Sequence, residues 1–224
     1  MKKALIAGAT GLIGKHVVQQ LIEREEYDEI RLITRKKTPF KHEKVTEYII
    51  DFKELDQYAH LFAGINDVFV CLGTTMKKAK TKKQFMKVDF TYPLKIATLS
   101  EERGVNKMLT VTAIGSDRES RLFYNRVKGK LEEALVKVNI PSLHIFRPSL
   151  LTGEREEFRP GEKMASYVSA PISLFLAGPF EKYKPVKAHY VAAVMCAIAK
   201  EDSKGVHIYE SDKIRQLGQV LFHD

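Results

Sequence analysis

The chain begins with a short apolar run, a glycine-rich turn and an amphipathic segment, and this order constrains the fold more than any other feature. Residues 4–7 predict a buried strand, and apolar residues at helical spacing over 12–24 predict a helix. Gly8, Gly11 and Gly14 lie between them at three-residue spacing. Glycines let the backbone turn tightly, and a helix N-terminus presents free N–H groups to an anion. The segment therefore predicts a phosphate-binding turn between a strand and a helix.

The same N-terminus allows a second interpretation, a secretory signal, because two lysines precede an apolar run. We disfavour it, since that run contains three glycines and continues into KHVVQQLIER without a small-residue cleavage site. No apolar segment approaches the roughly 18 uninterrupted residues of a membrane-spanning helix. The two cysteines, Cys71 and Cys196, form no metal or redox motif. We therefore expect a reducing, cytoplasmic setting.

Short apolar runs alternate with helical segments along the rest of the chain. Strands are predicted at 29–34, 45–50, 67–73, 107–113 and 142–148, and helices at 54–62, 84–103 and 119–138. This alternation is typical of βαβ units, which build a parallel sheet with helices on both faces. We expect an α/β fold with a doubly wound parallel sheet, a Rossmann fold. The length of 224 residues suits a single domain.

The pattern changes after residue 150, which separates a cofactor-binding core, residues 1–150, from a substrate-side segment, residues 151–224. In that segment an apolar stretch at 164–180 is broken by proline and glycine, and it precedes a predicted helix at 188–200, a strand at 205–211 and a helix at 212–222. Added segments of this kind commonly cover the substrate crevice outside the carboxyl ends of the strands. Ordinary core packing or an oligomer contact is the open alternative.

The end of the second predicted strand indicates which dinucleotide the turn would hold. In NAD-binding folds an acidic residue about 20 positions beyond the last glycine binds the ribose hydroxyls. Thr34 occupies that position here, and Arg35 and Lys36 follow it. An arginine can bind a 2′-phosphate in a bidentate manner, so the sequence predicts NADP(H) in preference to NAD(H). A solvated basic turn is the alternative. Asp51 and Phe52 are placed beside the adenine by analogy.

Further motifs make the chain resemble the short-chain dehydrogenase/reductases, specifically their small atypical members. The resemblance rests on GATGLIG, on CLGTT and VDF after the fourth strand, on TVTAIGS after the fifth, and on YNRVK and FRPSLLTG. This series looks most like bacterial relatives of the Tat-interacting oxidoreductase group. The resemblance and the glycine turn together assign the following residues to the cofactor: Gly8, Thr10, Gly11, Leu12, Ile13, Gly14, Arg35, Lys36, Asp51, Phe52, Leu72, Gly73, Thr74, Lys128, Pro148 and Leu150.

The resemblance also implies a catalytic Tyr-x-x-x-Lys pair, and Tyr124 with Lys128 fits it. Residues i and i+4 share a helix face, so the ammonium would favour the ionised phenol, which can exchange a proton with a substrate oxygen near neutral pH. Lys128 would also hold the nicotinamide ribose. The same spacing recurs at 183–187 and 209–213. Pro185 disfavours a helix through the first of these, and the second lies at a strand end.

The third catalytic position departs from the family, which usually carries serine there. Thr112 lies at the end of the fifth strand and is our candidate for orienting the substrate carbonyl, with Ser116 as the fallback. Asp89 occupies a position where extended relatives often carry asparagine, which would alter the usual proton relay. The resemblance thus implies an acid–base site with two substitutions.

Together these features predict an NADP(H)-dependent oxidoreductase that transfers hydride between nicotinamide and a carbonyl or alcohol. The alternative is an NAD(P)H-binding regulatory or sensor protein without turnover.

The net charge is +9, and a lysine-rich loop at 74–85 is interpreted as an anion-attracting rim or a solvated loop. Because that loop lacks aromatic interleaving, nucleic acid is not expected. Arg147 and Arg155 are secondary anion-binding candidates, and His189 is a candidate substrate contact. No metal is expected, because the histidines show no ligand spacing. The substrate is expected to be a small apolar or anionic molecule, and the protein a monomer or homodimer without a membrane span.

Overall fold

A seven-stranded sheet organises the computed structural model, which describes residues 1–153 and 178–222. Its strands are β1 (Lys2–Ala7), β2 (Tyr27–Thr34), β3 (Val45–Ile49), β4 (Asp67–Val70), β5 (Lys107–Val111), β6 (Ser142–Arg147) and β9 (Gly205–Glu210), in the spatial order β3-β2-β1-β4-β5-β6-β9. Neighbouring strands of this sheet are parallel throughout. A separate pair joins β7 (Leu151–Thr152) to β8 (Val186–Lys187). The strand order reverses between β1 and β4, which places a crevice at their carboxyl ends. The predicted doubly wound parallel sheet is confirmed.

Helices cover both faces of the sheet. They are α1 (Gly14–Ile22), α2 (Met76–Ala79), α3 (Lys82–Met86), α4 (Tyr92–Glu102), α5 (Phe123–Val136), α6 (Ala188–Ile198) and α7 (Ser211–Phe222), with 3₁₀ helices at Phe52–Phe62 and Gly178–Tyr183 and a π-helical turn at Lys87–Thr91. Apolar residues of α1, α6 and α7 form one core layer, and those of the first 3₁₀ helix, α4 and α5 form the other. The helices of these two layers thus bury an apolar face against the sheet, whereas Ala79 of α2 and Phe85 of α3 form a separate small cluster with Val127 of α5.

The described part of the C-terminal segment contributes both to the core and to the crevice. Helix α6 packs beside α1, and Val191 and Met195 share a buried cluster with Val17 of α1. The end of β7 meets the glycine turn, since a Cβ on Gly153 would lie 3.4 Å from Leu12 Cδ1. Core packing, the alternative left open by the sequence, therefore accounts for α6. Residues 164–177 of the predicted apolar stretch, and Arg155, lie outside the described residues.

Two of the predicted helices differ from the structure by more than a turn at one end or by an internal break. The helix predicted at 84–103 is divided into α3, the π-helical turn and α4, and the helix predicted at 119–138 begins at Phe123. The second difference has a packing cause. The chain before Phe123 lies on α5, where a Cβ on Gly129 would be 2.2 Å from the carbonyl carbon of Asp117. Arg126 Nη1 also donates to the Ser120 carbonyl at 2.6 Å, which holds this stretch as a loop.

A fully buried histidine lies in β6. His144 Nε2 is 2.9 Å from Ser142 Oγ, and its Nδ1 is 3.0 Å from the hydroxyl of Tyr209. Burial lowers the pKa of His144 to about 4 from a usual value of 6.5, and the nearby charges of His207 and Lys107 act in the same direction. The folded state therefore holds this ring neutral at pH values where the unfolded chain would protonate it.

The buried ring makes stability depend on pH. Between pH 6.5 and about 4 the unfolded chain binds a proton that folded His144 does not, so stability falls as the pH falls through this window and levels near 4. We expect urea melts to show about 2–3 kcal/mol of such loss. His144→Asn should flatten this part of the profile, whereas His60→Asn, at an exposed position, should not. Equal pH slopes in wild type and His144→Asn would contradict the assignment.

Candidate functional site

The glycine turn is pressed against the backbone around it. Gly8 has a φ of 93°, and a Cβ there would lie 2.6 Å from the Cys71 carbonyl oxygen just after β4. A Cβ on Gly14 would lie 2.1 Å from the Gly8 carbonyl oxygen. The Gly11 N–H donates to that same oxygen at 2.9 Å. Glycine is thus required at positions 8 and 14 for the turn to close, as the sequence predicted.

Helix α1 starts at the end of this turn and points its N-terminus at the crevice. No side chain at Ile13, which precedes the helix, caps its first N–H groups. Such groups carry partial positive charge and bind phosphate oxygens. Thr10 is exposed, Leu12 is half-buried and the side chain of Ile13 lies in the core. The turn therefore fits the pyrophosphate of a dinucleotide.

The basic turn after β2 is open to solvent. Arg35 and Lys36 are both exposed, and the Thr34 hydroxyl donates to the Lys36 carbonyl at 2.8 Å, which shapes the turn. The guanidinium of Arg35 is thus presented at the carboxyl end of a strand next to β1. The basic turn therefore lies at the same edge of the sheet as the glycine turn.

The residues after β3 adjoin that basic turn. Asp51 is exposed and accepts the Lys53 N–H at 3.0 Å, while Phe52 is buried with its ring centroid 5.5 Å from that of Tyr92. Burial raises the pKa of Tyr92, the Asp51 carboxylate adds to this, and the Arg35 charge opposes it. Tyr92 is therefore near both turns, and Arg35, Asp51 and Phe52 lie close to one another around it.

A buried carboxylate joins the loop after β4 to helix α5. This loop carries Leu72, Gly73 and Thr74, and the Thr74 N–H donates to Asp89 Oδ2 at 2.9 Å. The other oxygen of Asp89 lies 2.8 Å from Lys128 Nζ, with 1% and 3% of the two side chains exposed. Sequence reasoning noted Asp89 only as a departure from the family. One feature of the sequence could have revealed this ion pair. Asp89 is an acidic residue among apolar residues of a predicted helix, and the chain also carries a catalytic-type lysine, Lys128, that could pair with it.

Tyr124 and Lys128 lie on successive turns of α5 in different surroundings. Tyr124 is 39% exposed, and its ring centroid is 5.7 Å from that of Phe85 on α3. Burial alone would lower the pKa of Lys128, but the charges of Asp89 and Tyr124 and the hydrogen bond to Asp89 outweigh it, so that pKa lies above its usual value. The site therefore combines an accessible phenol with a buried ammonium.

Both hydroxyl candidates donate to groups inside the protein. Thr112 is buried, and its hydroxyl donates to Glu132 Oε1 at 2.5 Å. Glu132 also receives the guanidinium of Arg147, whose Nε is 3.1 Å from each carboxylate oxygen. The Ser116 hydroxyl donates to the Ala113 carbonyl at 2.7 Å. An orienting role for either hydroxyl requires exchange of its present hydrogen bond.

Other predicted residues lie near the crevice or beside it. The Pro148 carbonyl accepts the Ile114 N–H at 2.9 Å, and Leu150 is 39% exposed. Arg147 is paired with Glu132 and Glu210, so its charge is already compensated.

Two further sequence candidates lie in other surroundings. His189 packs edge-on against Tyr190 and Phe222. The Tyr-x-x-x-Lys stretches at 183–187 and 209–213 each leave one secondary-structure element and enter another, so neither lies on one helix.

A glycine turn at a helix N-terminus, placed at the switch point of a doubly wound sheet, defines a dinucleotide-binding Rossmann protein. Residues 8–140 match the family model described as NAD(P)H-binding. The chain belongs to the atypical short-chain dehydrogenase/reductase, NAD(P)-binding family. This match supports a nicotinamide dinucleotide as the cofactor and makes the chain a nucleotide-binding, oxidoreductase-like protein.

Individual relatives agree with this family. The chain is 35% identical to Protein HTATIP2 of Rattus norvegicus over 167 residues, covering 73% of this chain and 69% of that protein. It is 31% identical to Protein FMP52, mitochondrial, of Eremothecium gossypii over 219 residues, covering 96% of each.

Among solved structures, MoeE5 in complex with UDP-glucose and NAD has a TM-score of 0.70 at 13% identity, covering 99% of this chain and 82% of that one. WbmH of Bordetella bronchiseptica in complex with NAD+ has a TM-score of 0.71 at 15% identity, covering 94% and 76%. At such identities the structures show the fold alone.

The expected cytoplasmic location is wrong in light of these relatives. Those from Eremothecium gossypii, Scheffersomyces stipitis and Meyerozyma guilliermondii are named mitochondrial, which points away from the cytoplasm. Cysteine usage reports redox conditions and does not separate one reducing compartment from another, so it gave no basis for choosing. Within residues 1–153 and 178–222, no helix is long and apolar enough to cross a membrane.

Proposed function

We propose that the chain is an NADP(H)-dependent oxidoreductase that interconverts a carbonyl and an alcohol on a small substrate, with Tyr124 as the acid–base. The observation that carries this proposal is the pairing on α5 of a 39% exposed phenol with a buried, ion-paired ammonium at i+4. A phenol needs a nearby cation to exchange a proton near neutral pH, and a protein that only bound the dinucleotide would have no use for an exposed phenol beside that cation.

Some residues of the site bind the cofactor in this proposal, and others transfer the proton. The glycine turn and the α1 N-terminus hold the pyrophosphate, and the loop after β4 borders the crevice at the next strand. When bound, the nicotinamide supplies or accepts the hydride. In the reductive direction the Tyr124 hydroxyl donates its proton to the substrate oxygen, and in the oxidative direction the phenolate accepts it. Lys128 stabilises the phenolate and donates to the ribose.

Preference for NADP(H) is proposed from Arg35 and is tested by cofactor titration. Fluorescence titrations of the purified protein should show NADPH binding much more tightly than NADH. Arg35→Ala should weaken NADPH about 10- to 100-fold, the value of a charge-assisted bidentate contact, and leave NADH nearly unchanged. Lys37→Ala, an exposed change in the same turn, controls for charge alone and should have a smaller effect. Equal affinities for both dinucleotides in the wild type would refute the preference.

The surroundings of Tyr124 support an apolar or anionic substrate. Helix α3 brings Phe85 to the Tyr124 ring and places Lys82 Nζ 5.4 Å from the centroid of the Phe123 ring. A positive charge thus lies beside an aromatic cluster at the exposed phenol. A screen that follows NADPH oxidation should therefore pair each apolar aldehyde or ketone with its carboxylate-bearing counterpart. A monomer or homodimer that binds no nucleic acid is part of the same proposal.

A sensor that binds NAD(P)H without turnover is the second candidate. The observation that favours it is that Thr112 and Ser116 both donate their hydroxyls within the fold. Thr112→Val and Ser116→Ala separate the two candidates once a substrate is found. In an enzyme, the variant that removes the orienting hydroxyl lowers kcat, and the other does not. Failure of the whole carbonyl panel with NADPH bound would favour the sensor.

A further inference from the structure

The lysine-rich segment after β4 forms an ordered structure, built from α2 and α3. Thr75 and Thr81 each cap one of these helices, since their hydroxyls accept the N–H groups three residues later at 3.2 and 3.1 Å. Phe85 anchors α3, because it is fully buried in one cluster with Val127 of α5. We call residues 75–86 the lysine rim. Its lysines are thus carried on a fixed backbone.

A strained turn at Lys80 joins the two helices of the lysine rim. Lys80 has a φ of 61° and is the one non-glycine residue with a positive φ in the described part of the chain. The Thr81 N–H donates across it to the Ala79 carbonyl at 2.7 Å, which makes a γ-turn of positive φ. Such turns are rare, and a residue with a Cβ adopts one only at a cost in free energy. Strain of this kind is found mainly where the surrounding structure holds it and a ligand site uses it.

The lysine rim carries positive charge that its own residues do not neutralise. Residues 74–88 contain six lysines and no acidic residue. Four of these lysines are exposed and form no ion pair with a carboxylate in the described part of the chain: Lys77, Lys80, Lys82 and Lys83. Like charges held this close along the chain repel one another, and an anion bound among them relieves the repulsion. An anion therefore gains more here than beside a single surface lysine.

The lysine rim adjoins the exposed phenol of α5. Lys82 Nζ lies 5.4 Å from the centroid of the Phe123 ring, and the ring of Phe85, one turn later on α3, is 5.7 Å from that of Tyr124. The Phe85 and Phe123 centroids are 5.5 Å apart. A molecule that reaches the Tyr124 hydroxyl with its carbonyl can therefore place an anionic end among the lysines.

We propose that the lysine rim binds a phosphate group of the substrate, which makes the substrate a carbonyl or alcohol compound that carries a phosphate or diphosphate. The inference rests on the proposed function, because it takes Tyr124 as the acid–base group of the same site. A multiply charged phosphate suits four unpaired ammonium groups better than a single carboxylate does. Lysine also binds phosphate readily as a compact point charge.

Calorimetric titration of the NADPH-saturated protein with inorganic pyrophosphate tests the lysine rim. NADPH occupies the glycine turn, so the pyrophosphate reports a second anion site. Lys82→Gln/Lys83→Gln removes two charges from the rim. Arg103→Gln/Lys204→Gln removes the same net charge at positions shortly before β5 and β9, at the amino edge of the sheet opposite the crevice. All four side chains are exposed, so both double variants should fold, which circular dichroism verifies.

The wild type should bind pyrophosphate saturably, and Lys82→Gln/Lys83→Gln should weaken that binding at least about tenfold. Arg103→Gln/Lys204→Gln should stay close to the wild type, and NADPH affinity should be the same in all three proteins. In NMR spectra, pyrophosphate should shift the backbone amides of Phe123 and Tyr124. Equal pyrophosphate affinities in the two double variants would overturn the proposal. So would a parallel loss of NADPH affinity in the rim variant, because the lysines would then serve the cofactor, or unshifted amides at Phe123 and Tyr124.

A cap variant distinguishes a built site from diffuse positive charge. Thr75→Val/Thr81→Val keeps every lysine and removes both helix caps, so it should weaken pyrophosphate binding about threefold or more. Unchanged binding would overturn the proposal, since charge alone would then account for the affinity.

A lipid surface is the competing source of phosphate groups. Wild-type protein that sediments with phosphatidylserine vesicles, loses this in Lys82→Gln/Lys83→Gln and does not bind pyrophosphate would make the lysine rim a lipid-binding surface and overturn the proposal. If the wild type binds neither NADPH nor NADH, the proposed function fails, whereas the difference in pyrophosphate affinity between the two double variants still tests the rim. If NADPH binds and pyrophosphate does not, the inference about the rim fails alone.

Discussion

Gly14→Ala is expected to abolish cofactor binding, with NADPH affinity falling at least about 100-fold, or roughly 2.7 kcal/mol. The added Cβ would lie 2.1 Å from the Gly8 carbonyl oxygen and 3.1 Å from Ala9 Cα. Both contacts are with backbone, so no side-chain rotation relieves them and the turn must open. Opening it moves the α1 N–H groups away from the pyrophosphate. Titration with NADPH, alongside circular dichroism to verify folding, measures the effect.

Two further glycine variants test whether the loss of NADPH affinity follows the severity of the backbone clash. In Gly11→Ala the Cβ would lie 3.2 Å from the same oxygen, so a small shift suffices and a smaller loss of affinity is expected. Gly104→Ala places a side chain at a φ of 68° in open space, and it should cost about 1 kcal/mol of stability without affecting the cofactor. NADPH binding by Gly14→Ala at the level of Gly104→Ala would show that the turn is not the phosphate site.

The parts of the fold that sequence predicts best are those in which one local requirement decides the residue. Gly8 and Gly14 could be placed in a tight turn between a strand and a helix because only glycine permits the backbone contacts that close it. The strands were predictable because a sheet buried on both faces needs continuous apolar runs, as in the fully buried strand at 67–70. The preference for right-handed βαβ connections then narrows the possible strand orders without deciding among them.

Pairings between distant segments were not predictable, because spacing along the chain carries no information about them. Tyr124 and Lys128 could be related by helical spacing, but Asp89 reaches Lys128 only through the π-helical turn. The bond from Thr112 to Glu132 similarly depends on how α5 lies on β5. Sequence thus placed Thr112 correctly at a strand end and gave no sign that its hydroxyl was engaged.

These cross-links explain how the site is held rigid. Glu132, one turn beyond Lys128 on α5, is bound by Thr112 after β5 and by Arg147 at the end of β6. Asp89 ties Lys128 to the loop after β4. Three neighbouring strands of the sheet are therefore connected to one helix at their carboxyl ends. If Tyr124 and Lys128 act as proposed, they need such support, because small displacements of catalytic groups reduce the rate steeply.

Tyr124→Phe is expected to lower kcat on a carbonyl substrate found by the screen by about 10²- to 10⁴-fold, the usual contribution of a positioned acid–base group. The phenylalanine ring retains the contact with Phe85, so the fold and NADPH affinity should be nearly unchanged. Only the proton donor is lost. Steady-state kinetics with NADPH, together with the binding titration, distinguishes this from a defect in binding.

Tyr183→Phe is the matched control for this variant. Tyr183 also begins a Tyr-x-x-x-Lys stretch and is 48% exposed, but it ends a 3₁₀ helix, and the lysine four residues later lies on β8. Its turnover should equal that of the wild type, since shared spacing without a shared helix face does not bring the two groups together. If both variants retain full kcat, the proton comes from another group, and the i,i+4 pair on α5 is structural. If only Tyr124→Phe loses activity, the geometry of that pair accounts for the acid–base step.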